Sequence, residues 1–325
     1  MARNRAISGA RKKKSLWRAV DGILLLDKPL GLSSNGALQA VRRLFNAEKA
    51  GHTGNLDPLA TGMLPVCFGE ATKLSGRLLD ADKRYVAIAR FGACTATGDA
   101  EGEVVATSDV GGLDWAALEA VRAAFAGTIS QTPPMYSAIK HEGRRLYELA
   151  RNGQTVARTA RQVRIHELRW RPLSATELEI SVACSKGTYI RTLVEDLAAG
   201  IGHCAHLRQL RRLEVHPFGG QPMWTVDALQ ALAEAGDLDR ALLPMNAAVR
   251  DWLQVDLPRE DLVRVARGQT IAAPAALTGQ ATDTVAVIDE FGSLRALARL
   301  DPVKGLVPSR WLGGARWLEA NGSES

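Results

Sequence analysis

The segment from Gly51 to Pro65, GHTGNLDPLATGMLP, argues against both a regular helix and a clean strand. It places three glycines and two prolines around a single carboxylate, Asp57. Glycine permits a positive φ and close backbone approach, whereas proline fixes φ. The segment therefore predicts a shaped loop, the kind of element on which functional side chains concentrate. An alternative fits the local pattern equally well, namely that Asp57 only caps a helix over PLATGML.

Elsewhere the spacing of apolar residues predicts both strands and helices. The four predicted strands cover residues 22–29, 84–95, 161–170 and 177–184. The predicted helices lie within residues 33–46, 113–127, 131–153, 185–202 and 225–238, the third of them basic and preceded by a Pro-Pro break. In 177–184 apolar and polar residues alternate, which is typical of a half-buried strand.

The predicted helix in 185–202 contains a basic residue that does not belong to its apolar stripe. Ile190, Leu193, Val194, Leu197 and Ile201 form the stripe, and Arg191 lies beside it at the helix start. A cation at that end of a helix opposes the macrodipole. Arg191 is therefore expected to face an anionic partner.

The sequence pattern changes near residue 250. A chain of 325 residues suggests two domains, although one or three also fit this length. Short runs such as VRVARGQTI, TVAVIDEFG and SLRALARL alternate with Gly, Pro and Asp after this point. They predict a small β-rich module of short strands.

Positive charge is concentrated in two regions. Residues 1–20 carry seven Lys or Arg and no acid, and predict a disordered basic tail. Residues 140–171 carry nine Lys or Arg against three Glu. Because phosphate contacts supply most nonspecific nucleic-acid affinity, these regions indicate a polyanionic partner. A solvated charged surface without a partner is the alternative.

Several classes of protein and site find no support in the sequence. It has no 18-residue apolar run, no secretory signal, no phosphate-binding loop, no HExxH and no dinucleotide fingerprint. Its four scattered cysteines predict free thiols in a reducing cytoplasm. GHCAH at 202–206 lacks a complementary ligand pair and predicts a helix cap beside a packed thiol rather than zinc. TGDAEG at 97–102 lacks the rest of a calcium loop and predicts a connection between strands.

Long irregular motifs in residues 20–220 resemble the bacterial tRNA pseudouridine synthase B family. The motifs are GILLLDKPLGLSSN, GHTGNLDPLATGMLPVCFGEATK, DKRYVAIARFG, PPMYSAIKHEGRRLYELAR, CSKGTYIRTLVEDL and LRQLRRLEVHPF. The resemblance implies an α+β fold in which helices flank a mixed, mostly antiparallel sheet. It implies a catalytic domain at 21–248, with a basic RNA-clasping insertion at about 131–160, and a PUA-like RNA-binding domain at 249–325.

The same resemblance implies isomerisation of uridine 55 in the T loop of tRNA, without cofactor or metal. It assigns the essential carboxylate to Asp57 and a pairing partner to Arg191, which would lower the pKa of that acid and fix its direction. It assigns substrate contacts to five further residues: His52 in the acid loop, Tyr85 stacked on the extruded uracil, Tyr189 in the base pocket, Leu210 on its floor, and Lys28, with Pro29, beside the site.

The expected partner is the T arm of tRNA, and the chain is expected to be a cytoplasmic monomer that requires neither a membrane nor a protein partner. Two alternatives remain at this point. One is a tRNA-binding or tRNA-folding protein without catalysis, which would not need Asp57 or Arg191. The other is a subunit of a guide-RNA-class pseudouridine synthase, although the PPMYSAIK insertion favours the stand-alone class.

Overall fold

The computed structural model describes residues 17–111 and 113–321. Most of the predicted basic tail, residues 1–16, therefore lies outside the described residues. Residues 17–20, which were included in the tail, are packed against the folded chain. Arg18 Nε donates to the Phe45 carbonyl at 2.9 Å, and Val20 is buried.

Strands dominate the described residues. They are β1 (Gly22–Lys28), β2 (Ala50–His52), β3 (Ala60–Phe68), β4 (Lys83–Phe91), β5 (Ala93–Thr95), β6 (Val104–Thr107), β7 (Gly127–Gln131), β8 (Lys140–His141), β9 (Arg144–Arg145), β10 (Arg161–Pro172), β11 (Glu177–Cys184), β12 (Ala205–Val215), β13 (Leu242–Leu243), β14 (Leu253–Asp256), β15 (Thr282–Ile288), β16 (Leu294–Asp301) and β17 (Gly305–Trp311).

Short helices connect these strands. They are α1 (Ser34–Leu44), α2 (Ser75–Leu79), α3 (Trp115–Val121), α4 (Leu146–Arg151), α5 (Ile190–Ala199), α6 (Val226–Ala235), α7 (Arg259–Ala266) and α8 (Gly314–Asn321). No helix within the described ranges has the length and apolar character needed to cross a membrane.

The main sheet has the order β13-β1-β3-β12-β4-β11-β10-β7, with β2 also paired to β3. Only the β3–β12 pair is parallel among its described strands, so the sheet is mixed and mostly antiparallel, as predicted. Helix α5 packs its apolar stripe into the core on one face of this sheet, together with residues of β4, β11 and β12. Helices α1 and α6 contribute to a second core formed with β1 and β3.

A separate sheet, β14-β15-β16-β17, forms the C-terminal module. The prediction of a β-rich module is confirmed, but VRVARGQTI is not one of its strands. Its first half belongs to helix α7, in which Leu262 and Val265 are buried at helical spacing. Pro258 precedes this helix, and Glu260 in its first turn favours it electrostatically.

The C-terminal module packs directly against the main sheet. Leu294 and Leu312 belong to the same buried apolar cluster as Ile23, Met63 and Phe218. The side chain of Lys73 also donates to the carbonyl of Trp311 at 3.0 Å. The two sheets therefore share one core rather than meeting through a polar linker.

The structure corrects the interpretation of residues 51–65. The helix over PLATGML is wrong, and the irregular loop is limited to residues 53–59 between β2 and β3. Gly62 lies inside β3 with φ +100°, a region that L-residues with side chains rarely adopt. Pro65 lies between the part of β3 that pairs with β12 and the part that pairs with β2, so its missing N–H costs no ladder hydrogen bond.

Two other predicted elements are shorter than expected. The strand over 84–95 is divided into β4 and β5 at Gly92, which has φ +105°. The helix over 113–127 is regular only in α3, and a 3₁₀ turn at Arg122–Phe125 ends it. Strand β12 was not predicted from its pattern, because its charged residues interrupt the apolar alternation on which such a prediction depends.

Candidate active site

The loop at 53–59 is fixed from several sides, which gives Asp57 a defined position. Ser34, the first residue of α1, is buried, and its hydroxyl both accepts from Leu56 N–H at 2.6 Å and donates to the Leu56 carbonyl at 2.9 Å. Thr53 N–H donates to the carbonyl of Pro65 at 3.1 Å. The loop is therefore held rigidly just before the acid.

Arg191 reaches this loop from the start of α5. Its Nη2 lies 3.0 Å from Oδ2 of Asp57 and 2.7 Å from the carbonyl of Tyr136. Its Nη1 donates to the carbonyl of Thr97 at 2.6 Å. The expected anionic partner of the helix-start cation is thus present, and the same guanidinium joins three separate segments of the chain.

Asp99 is a site residue that the sequence analysis missed. It lies in the predicted connection TGDAEG between β5 and β6, it is buried, and its Oδ2 is 3.6 Å from Arg191 Nη1. Thr97 Oγ1 and Glu101 N–H both donate to its other oxygen, at 2.6 and 3.1 Å. A buried acid bonded in this way orients the guanidinium that faces Asp57. The spacing of acids in this segment was the only sequence signal for it.

The surroundings of Asp57 shift its acidity upward. Burial raises the pKa of the Asp57 carboxyl above its usual value, Arg191 opposes the rise, and the charge of Asp99 adds to it. Arg191 lowers the pKa of this acid, as expected, but desolvation outweighs that effect, so the net pKa of Asp57 is raised. The side chain of Asp57 nevertheless remains 43% exposed and open to a substrate.

This balance predicts an acidic limit of activity above the pH at which an ordinary aspartate titrates, about 4. Because the charge of Asp99 raises the pKa of Asp57, Asp99→Asn should move the limit to lower pH. The measurement is kcat for both proteins from about pH 4 to 8. A limit that moves to higher pH in Asp99→Asn would contradict this account.

One rung of the main sheet lies beneath the acid loop. Gly62 of β3 pairs with Lys28 of β1 on one side and with Arg212 of β12 on the other, and Arg212 pairs in turn with Tyr85 of β4. The ammonium of Lys28 is buried and donates to the carbonyls of Pro29 and Leu32 at 2.9 and 2.6 Å. Burial lowers the pKa of Lys28 to about 8.

The residues predicted to receive the base lie on neighbouring strands. Leu210 of β12 pairs with Ala60 and Ala87, two residues along the strand from Arg212, and is partly buried. Tyr85 is only 8% exposed, so its ring is more deeply buried than a free stacking surface. Stacking of Tyr85 on uracil stays a prediction.

Tyr189 immediately precedes α5 and is held through its backbone. Gln131 accepts from Tyr189 N–H at 3.0 Å and donates to its carbonyl at 3.2 Å. The guanidinium of Arg161 lies over its ring, 4.7 Å from the centroid. Tyr189 is thus two residues from Arg191, and its side chain is partly buried.

His52 ends β2, at the start of the acid loop. Its Nδ1 is buried without a hydrogen-bond partner among the described residues. Burial and then the charge of Arg212 lower the pKa of His52 below its usual value. A neutral imidazole at the start of the acid loop is suited to a contact with an incoming ligand.

The GHCAH segment shows the local packing expected of a helix end. His203 N–H donates to the carbonyl of Ala198 at the end of α5, and His206 Nδ1 lies 2.9 Å from the carbonyl of Ala93. Within residues 17–111 and 113–321, no three His, Cys, Asp or Glu side chains are grouped so that they could hold a metal ion.

Two family profiles together match residues 42–250 of this chain. The family profile "TruB family pseudouridylate synthase (N terminal domain)" matches residues 42–190, which include the acid loop and Tyr189. The profile "tRNA pseudouridylate synthase B C-terminal domain" matches residues 191–250. A protein named tRNA pseudouridine synthase B from Sodalis glossinidius (strain morsitans) is 53% identical over 264 residues, 79% of this chain and 85% of the relative. The chain belongs to the TruB family of pseudouridylate synthases.

Other matches extend the TruB comparison over most of the chain. A tRNA pseudouridine synthase B of Marinomonas sp. (strain MWYL1) is 48% identical over 294 residues, 90% of this chain and 94% of the relative. A solved Cbf5-Nop10-Gar1 complex contains a chain with TM-score 0.67 and 26% identity, covering 91% of this chain and 84% of that one. These matches confirm the pseudouridine synthase fold and the family predicted from the motifs.

Proposed function

We propose that this TruB-family chain isomerises uridine 55 in the T loop of tRNA to pseudouridine, with Asp57 as the essential carboxylate. The observation that carries the proposal is the 3.0 Å pair between Asp57 and Arg191 in the shaped loop of a TruB-family sequence. A protein that only binds or folds tRNA has no need for an acid that is held rigidly, oriented by a buried guanidinium and left partly open to solvent.

The chemistry suits the residues that meet here. Pseudouridine formation breaks the N1–C1′ bond of uridine, rotates the uracil and joins C5 to C1′, and it involves neither net redox change nor net hydrolysis. A carboxylate can act as a nucleophile or a base if it is ionised and correctly directed. Arg191 and Asp99 provide that direction, and the reaction itself calls for no cofactor.

We assign the other residues of the site to binding the extruded base and the RNA around it. Taking a base out of its stack costs a few kcal/mol, of which aromatic contact returns about 1–3 kcal/mol. We assign that contact to Tyr85, the wall of the pocket to Tyr189 and its floor to Leu210. His52 contacts the RNA loop, and Lys28 holds the turn beside the site through its two carbonyl contacts.

Basic residues outside the pocket supply affinity for the T arm. Lys140, Arg144 and Arg145 of the β8–β9 hairpin are exposed within the insertion at about 131–160, where they suit phosphate contacts. The PUA-like domain, which we place at 249–325 after a catalytic domain at 21–248, provides a second RNA surface.

We also assign the chain to the stand-alone class, as a cytoplasmic monomer. Its identity to the bacterial tRNA pseudouridine synthase B proteins above is 48–53%, against 26% to the Cbf5 chain of a multiprotein complex. Its four cysteines are unpaired in the structure, which suits a reducing compartment.

The test is to incubate the purified protein alone with transcribed tRNA and to map pseudouridine by sequence position. We expect modification at uridine 55, and none in a matched tRNA that carries cytidine there. Product that forms only after other proteins or a guide RNA are added would overturn the stand-alone assignment, and product at a different uridine would overturn the site.

A further inference from the structure

Arg212 is the largest fully buried side chain among the described residues, with 1% of its surface exposed. Its guanidinium donates only to backbone carbonyls in the hydrogen bonds resolved for it. Nε meets Met63 at 2.7 Å, Nη2 meets Gly54 at 3.3 Å and Nη1 meets Asn55 at 3.4 Å. It forms no ion pair with any side chain in residues 17–111 or 113–321.

A buried cation without a carboxylate is costly, because desolvation is not offset by an opposite charge. A methionine of similar length would fill the same space in an apolar core at lower cost. The presence of Arg212 is therefore explained by its planar guanidinium, which can donate several hydrogen bonds in fixed directions. Two of its three acceptors belong to the loop immediately before Asp57.

The close pairing of β3 with β12 places the side chain of Arg212 under the acid loop. Arg212 lies opposite Gly62, where a Cβ would fall 2.1 Å from the carbonyl oxygen of Arg212, so only glycine lets β3 and β12 approach this closely. On its other side Arg212 pairs through its backbone with Tyr85 of β4. Arg212 thus lies in the sheet between the strand below the acid loop and the tyrosine predicted to meet the base.

The two contacts with Gly54 and Asn55, at 3.3 and 3.4 Å, are long for hydrogen bonds. The contact with Met63, at 2.7 Å, is short and anchors the guanidinium to β3. Arg212 is accordingly anchored to β3 and reaches the loop through its two longer contacts.

We infer that Arg212 is a positioning residue, whose guanidinium holds the loop at 54–55 so that Asp57 meets Arg191 and the substrate in the productive orientation. The inference rests on the proposed function for its effect on turnover, but the contact with the loop can be tested without any reaction.

The test compares Arg212→Met and Arg212→Lys with Arg211→Met as the matched control. Arg211 is the neighbour in sequence, but it is partly exposed, and its side-chain contacts go to Asp27 at 2.8 Å and Thr61 at 3.5 Å, outside residues 53–59. We expect kcat to fall about 100-fold in Arg212→Met with KM changed less than about threefold, because a displacement near 1 Å at the reacting centre has that effect. Arg212→Lys should recover part of kcat, and Arg211→Met should stay within about threefold.

Backbone hydrogen exchange gives the second readout, independent of turnover. Peptides covering 53–59 should exchange faster in Arg212→Met, whereas peptides from α5 and β10 should not change. A merely structural role would accelerate exchange throughout the domain. If Arg212→Met does not fold, Arg212→Lys carries both measurements.

Wild-type turnover in the folded Arg212 variants, or unchanged exchange at 53–59, would overturn the inference. If the wild-type protein forms no pseudouridine, the proposed function fails, and the exchange data still decide whether Arg212 holds the loop.

Discussion

Asp57→Asn is expected to abolish pseudouridine formation, with a loss in kcat of at least about 1,000-fold, because the amide can serve neither as a nucleophile nor as a base. The substitution preserves the shape of the side chain and its ability to accept from Arg191. Binding of tRNA should therefore stay within about tenfold, or roughly 1.4 kcal/mol. Single-turnover product and the Kd for tRNA, measured in the same buffer, check the two parts separately.

Asn55→Asp is a useful control for that experiment. Asn55 is exposed in the same loop, two residues before the acid, so this variant changes the local charge without touching the Asp57–Arg191 pair. Turnover that survives in Asp57→Asn would show that another group performs the chemistry. An equal loss in both variants would show that the loop, rather than the carboxylate of Asp57, was being tested.

Arg191→Met is expected to have the second largest effect, on both activity and stability. The side chains of Arg191 and Asp99 are each only 5% exposed, so removal of the cation leaves Asp99 buried without a counter-charge. Loss of one partner of a buried pair costs about 3–5 kcal/mol in the free energy of unfolding. The melting temperature should fall, and kcat should fall because Asp57 loses the group that orients it.

A double substitution separates these two effects. Arg191→Met with Asp99→Asn removes both buried charges, so it should recover much of the lost stability without recovering turnover. Arg191→Lys keeps the charge and should be more stable than Arg191→Met, yet it lacks the planar donors that reach Asp57, Thr97 and Tyr136 together. Full turnover in the double variant would show that neither Arg191 nor Asp99 is needed for the reaction.

The parts of the fold and the site that were predictable from the sequence are those whose signal lies in the neighbouring residues. The glycines and prolines around Asp57 predicted a shaped loop but allowed a helix cap equally well, and the family motif supplied its role. Arg191 was singled out because a cation at a helix start implies an anion. The strand over 177–184 and the helix with the apolar stripe were equally clear, since each buries one face and repeats at its own period.

What the sequence did not reveal depends on contacts between distant segments. Asp99 is one polar residue in an ordinary connection until β5, β6 and α5 bring it to Arg191. Arg212 is an arginine in a charged run, and only the pairing of β12 between β3 and β4 buries it. The raised pKa of Asp57 reflects burial by several segments at once, which no local pattern encodes.

The shared core also bears on the order in which the molecule is assembled during translation. Strand β1 is among the first parts to be synthesised, yet it pairs with β13 and shares an apolar cluster with Leu312. At roughly 5–20 residues per second, Leu312 follows β1 by on the order of 15–60 s. Throughout that interval the apolar side chains of β1 lack their last neighbours, so the nascent chain stays open to chaperones until its final strands leave the ribosome.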